Sequence, residues 1–139
     1  MAAPSASVSM WRAHQLVTML LYIGVTWAAW WIKELLKPNQ SLLAVFVALG
    51  IGAAAAGVMR GHLIFTSALN QAHLPSERRR LRPGLVVIDV LMAAGCALSG
   101  LSLVGLRPLA GVLTAGLAIG LALATLVMEP ATTAAAFRE

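Results

Sequence analysis

The chain has 139 residues, 60% of them hydrophobic and 11% charged, with a formal net charge of +5 and a mean hydropathy of +0.85. Soluble domains carry about a quarter charged residues, and disordered chains lack this apolar content, so both classes are excluded. The single cysteine, Cys96, rules out an internal disulfide framework and a cysteine metal cluster.

Four apolar stretches of about membrane length follow in chain order. The first covers about residues 14–32, with Trp11 before it and Trp27, Trp30 and Trp31 at its far end. Indole rings favour the headgroup level, so both ends read as interface anchors. The rival reading is a cleaved signal peptide with Arg12 as its charged start. Thr26 and Ala28 make a poor cleavage site, however, and Trp30 and Trp31 would follow it at once. Lys33, Glu34, Lys37, Pro38 and Asn39 supply a short turn. The second span starts near Ser41, a suitable helix N-cap, and stays uncharged until Arg60. About twenty residues rise about 30 Å, which places Arg60 at the far interface.

The helical pattern continues past Arg60 to about residue 72. Pro75 and the run SERRRLRP then break it, so residues 74–83 are expected as an arginine-rich loop. The third span covers about residues 84–106 and the fourth about 109–128. Glu129–Pro130 predicts a stop or kink, because a proline disfavours helix at the residue before it, and the tail after it can form one more short helical stretch. The whole chain, residues 1–139, therefore reads as a single membrane domain. It is expected to be an all-α, polytopic integral membrane protein, an up-down bundle of four transmembrane helices.

Charge sets the expected orientation. With four spans, both termini and the 74–83 segment share one side, which holds Arg12, Arg60, Arg78, Arg79, Arg80, Arg82 and Arg138. The other side holds Lys33, Lys37 and Arg107. Basic residues are retained in the cytoplasm, so the termini and the arginine run are expected there. The alanine- and arginine-rich composition points to a bacterial inner membrane.

Helices pack in lipid through small residues that let backbones approach. Gly50, Ala53, Gly57 and Arg60 form one stripe of the second span, and Asp89, Ala93, Cys96 and Gly100 one stripe of the third. Gly111, Ala118, Ala122, Thr125 and Glu129 do the same on the fourth. Each charge thus lies in line with a face expected to point inward, and all three fall at one depth. A lone charge at mid-membrane costs ~2.5–3.5 kcal/mol, so Arg60, Asp89 and Glu129 are expected to meet as an ion-paired clamp that fixes helix register. The alternatives are a proton or cation site, or a site for a headgroup or a partner's charge. Gly116 and Gly120 make a GxxxG on the other side of the fourth span, a candidate contact for another subunit or a second copy.

His14 and His62 lie at the level of the arginine run on neighbouring spans, and two histidines from two helices can ligate haem b axially. His62 is about 200° round its helix from Arg60, so both cannot face inward. Ordinary interfacial histidines are therefore the first expectation, and a haem- or quinone-binding anchor the alternative. No histidine pair has HxxxH or HExxH spacing, so zinc is not expected. Arg78, Arg79, Arg80 and Arg82 are read as headgroup-facing, each worth about 1 kcal/mol near an anionic surface. Without aromatic stacking residues around them they are no argument for nucleic acid. GxSxG and a glycine-rich phosphate loop are absent. The expected function is therefore non-enzymatic, a small accessory or structural subunit of a larger membrane complex, in contact with lipid and with other subunits or copies of itself. A redox anchor and a small proton-coupled transporter are the alternatives.

Overall fold

Apolar runs with few helix breakers leave the backbone one way to satisfy its own hydrogen bonds, the helix. The computed structural model describes residues 6–35 and 40–137, the side chain of Leu42 excepted, and all of its regular structure is helical. Helix α1 spans Ala6–Leu35, α2 Gln40–Leu69 and α3 Leu74–Val104. A last, continuous helical stretch follows, made of α4 (Pro108–Ala122), a π-helical segment (Leu123–Met128) and α5 (Glu129–Phe137). Four helices of 27–31 residues are thus long and apolar enough to cross a membrane. At 1.5 Å per residue they rise about 40–47 Å, longer than a hydrocarbon core of about 30 Å. Part of the turn read at Lys37, Pro38 and Asn39, and Arg138, lie outside the described residues.

One stretch differs from the sequence reading and a second decides between its alternatives, both at prolines. Residues 74–83 form the first turns of α3 rather than a loop. Pro75 takes an early helical position, where its missing N–H and fixed φ cost nothing. The glutamate, arginines and leucines behind it are good helix formers. Pro83 stays inside the helix with its ring exposed. The break comes four residues earlier, in a tight turn over Asn70–His73 where the His73 N–H reaches the Asn70 carbonyl at 3.1 Å and Ser76 Oγ donates to the His73 carbonyl at 2.7 Å.

At Pro130, where the sequence reads as a stop or a kink, the helix does not stop. In an α-helix its ring would press on the carbonyl four residues back. Here the helix widens just before it, and the Glu129 N–H bonds the Ala124 carbonyl five residues back. Such π-helical insertions are one of the few ways a helix redirects without stopping.

Buried polar side chains share the interior of the bundle with an apolar core, and large apolar side chains cover its outside. On α1 the buried residues are Trp11, His14, Gln15, Thr18, Tyr22, Val25, Ala29 and Ile32, one stripe at three- and four-residue spacing. Leu16, Leu20 and Ile23 on its other side are exposed, as are Val58, Leu91, Leu98, Leu113 and Ile119 elsewhere. Exposed apolar area on this scale marks a surface made for something other than water.

The closest helix approach joins α3 to α4. A Cβ at Gly100 would lie 2.9 Å from the Ala115 nitrogen, and one at Gly111 would lie 2.9 Å from the Val104 nitrogen and 3.0 Å from the Gly100 carbonyl oxygen. The two backbones are therefore in direct contact, and the Cys96 thiol points at the Thr114 carbonyl, 3.5 Å away. Beyond the π segment the last helix changes partner, and α5 packs chiefly on α1.

Candidate functional site

The four helices converge on Arg60, whose side chain is wholly buried. Its Nη2 lies 2.7 Å from Asp89 Oδ2 of α3, and its Nη1 lies 2.7 Å from Glu129 Oε2, the first residue after the π segment. The structure therefore brings together the three charges that the sequence places in line. Two neutral residues of α1 complete the arrangement. Arg60 Nη1 also donates to Gln15 Oε1, and Arg60 Nε donates to the Tyr22 hydroxyl oxygen at 3.2 Å. The Tyr22 hydroxyl in turn donates to Asp89 Oδ1, and Gln15 Nε2 donates to Glu129 Oε1 at 3.4 Å. Gln15 and Tyr22 are both buried.

Local sequence explains the convergence. Gln15 and Tyr22 are seven residues apart, two helical turns, so both fall on the inward stripe of α1. Arg60 projects from the inward side of α2, nine residues before its end at Leu69, and Asp89 lies seven residues inside Arg82 on α3. The planar guanidinium offers five N–H donors in a fixed fork, suited to two carboxylates at once. With hydrogen bonds on its Nε and both terminal nitrogens, its burial is compensated. Removing one partner of such a pair strands the others, at a cost of ~3–5 kcal/mol.

Sequence reasoning missed Gln15 and Tyr22. The signal was present, since a glutamine in an apolar span needs a partner wherever water is absent. A further tie closes the same end of the bundle: Arg12 Nε donates to Ser67 Oγ at 2.8 Å, and Arg12 Nη2 to the Ser67 carbonyl. This joins the start of α1 to the end of α2.

The two candidate cofactor histidines do not share a site. His14 is buried against the backbone of Ala124 in the π segment, and its Nε2 has no hydrogen-bond partner among the described residues. His62 stands half exposed on the surface, its Nε2 3.4 Å from Glu77 Oε2 of α3. Axial ligation needs both rings turned to one iron, and here one faces the interior and the other the outside. Among the described residues no three His, Cys, Asp or Glu side chains come together where they could hold a metal ion.

Gly116 and Gly120 lie on the exposed side of α4, where a Cβ at either position would meet nothing within 4 Å. The arginines divide by face. Arg78, Arg79 and Arg82 border a cavity between α3 and the last helix, whereas Arg80 does not. No protein-family model, curated protein or solved structure matches this chain. The class that the fold defines is an all-helical chain with four membrane-length apolar helices around a buried charge network.

Proposed function

We propose that this chain is an integral membrane protein that serves as a small, non-enzymatic accessory or structural subunit of a larger membrane assembly. The observation that carries this reading is the pair of small-residue faces on α4. One face, through Gly111, is filled by α3 to backbone contact, while the Gly116–Gly120 face is open at both positions. A helix that has already made its intrachain contact has a second close-approach surface to offer. The buried network supports the same reading, because Arg60 is held by Asp89, Glu129, Gln15 and Tyr22 and acts as a register clamp between the helices. The arginine-bearing end of the bundle faces the cytoplasm by the distribution of basic residues, and the composition points to a bacterial inner membrane.

Native mass spectrometry of the protein extracted in mild detergent from its own membranes tests the proposal. A mass well above 14.5 kDa that includes non-identical chains supports it. An integer multiple moves the Gly116–Gly120 contact to a homo-oligomer. A lone chain with turnover or transport of its own overturns the subunit reading.

A second reading, a proton-coupled transporter, is favoured by the cavity that reaches Asp89 and Glu129 from the side of the bundle. Asp89→Asn separates the two. A carrier loses transport in liposomes with its fold intact, whereas a clamp loses stability.

A further inference from the structure

The arginine-bearing half of α3 stands apart from the end of the last helix. Between them lies a cavity of about 640 Å³, within the ~300–1,000 Å³ typical of small-ligand sites. One wall is a single stripe of α3 that includes Arg79, Arg82 and Val86; the opposite wall includes Leu126 and Pro130. These five residues are exposed, so the cavity opens sideways, on the face where the bundle presents its apolar side chains. Two of its lining residues meet one ring: the Arg78 guanidinium stacks 4.2 Å from the Phe137 ring centroid, and Trp11 meets Phe137 edge-on at 5.4 Å. At the deep end lie Asp89 and Glu129, already engaged with Arg60.

This layout specifies an occupant. Arg79 and Arg82 are three residues apart on one helix face and both border the cavity, so their guanidinium forks are in reach of one bound group. Two such forks suit the oxygens of a phosphate. The carboxylates at the deep end repel an anion and keep it beside the arginines. Past the arginines the walls turn apolar through Val86 and Leu126, and the sideways opening faces lipid rather than water. We propose that this cavity binds one anionic phospholipid, its phosphate held by Arg79 and Arg82 and one acyl chain running out past Val86 and Leu126. The inference rests on the membrane reading of the chain and is independent of its being a subunit.

The test uses the full chain in detergent with an equimolar mixture of phosphatidylglycerol and phosphatidylcholine of matched acyl chains, with bound lipid read by native mass spectrometry. One phosphatidylglycerol per chain is expected to be retained, with about a tenfold preference over phosphatidylcholine. R79Q/R82Q is expected to abolish that preference. V86W and, from the opposite wall, L126W fill the apolar end with both arginines intact and are expected to reduce bound lipid to background. R80Q leaves the preference unchanged, because Arg80 does not border the cavity. All these positions are exposed, and helical circular dichroism checks that each variant is folded. A loss of preference in R80Q as large as that in R79Q/R82Q would show diffuse attraction to a basic surface and overturn the proposal. So would displacement of the phospholipid by an equal concentration of glycerol 3-phosphate, which would reveal a phosphate site with no use for the chain.

Discussion

Helix α3 meets the last helix by two opposite means at its two ends. At the Gly100–Gly111 end two backbones touch with no charge between them. At the Arg60 end the helices stand apart, linked through a guanidinium from a third helix and two neutral side chains from a fourth. In lipid both are sound strategies, but they fail differently. Backbone contact tolerates no added volume and is indifferent to charge. The polar network tolerates space, even a cavity beside it, and cannot lose a member.

The comparison is broken most severely by Arg60→Met. It leaves Asp89 and Glu129 facing each other with no cation, and unfolding in detergent should show a loss of ~3–5 kcal/mol. Gly100→Val attacks the other end. Its side chain meets backbone that no rotamer change can move, so a loss of ~1–3 kcal/mol is expected in the same assay. Asp89→Asn keeps the shape of the network but weakens its pairing with Arg60, for ~1–3 kcal/mol. A full loss of liposome transport at unchanged stability would instead make Asp89 a carrier residue. Gly116→Leu/Gly120→Leu sharpens the contrast, since both positions are open within the chain. Stability of the isolated chain is expected to stay within ~0.5 kcal/mol, while the subunit proposal expects co-purification of other chains to be lost. Last, His62→Ala removes a half-exposed contact to Glu77 and is expected to shift the unfolding free energy by less than ~1 kcal/mol with no effect on co-purification.

These two ends were unequally legible in the sequence. Charges in long apolar runs are conspicuous, so Arg60, Asp89 and Glu129 could be aligned by helical spacing alone. Gln15 and Tyr22 were not, because uncharged polar residues near a membrane interface have water or headgroups as an alternative to a buried partner. Which of the many small residues would touch was equally hidden. Gly100 and Gly111 differ from Gly116 and Gly120 only in what stands opposite them, and that depends on the relative rotation of two helices. Prolines misled in the same direction twice. Pro75 and Pro83 read as breaks and Pro130 as a stop or kink, but one sits where a helix start needs no N–H, one is carried within α3, and one follows a π-helical widening without a stop.

The Arg60 network also bears on the order in which the chain is made. When α1 and α2 have emerged, Arg60 can find Gln15 and Tyr22 but no carboxylate. Its first counter-ion, Asp89, comes twenty-nine residues later on α3, and Glu129 arrives only with the last helix. A hairpin of the first two helices released alone into lipid would strand a cation there. On the proposed membrane reading, the chain gains by entering lipid only once its third helix is at hand, with Glu129 as the last member of the network to arrive.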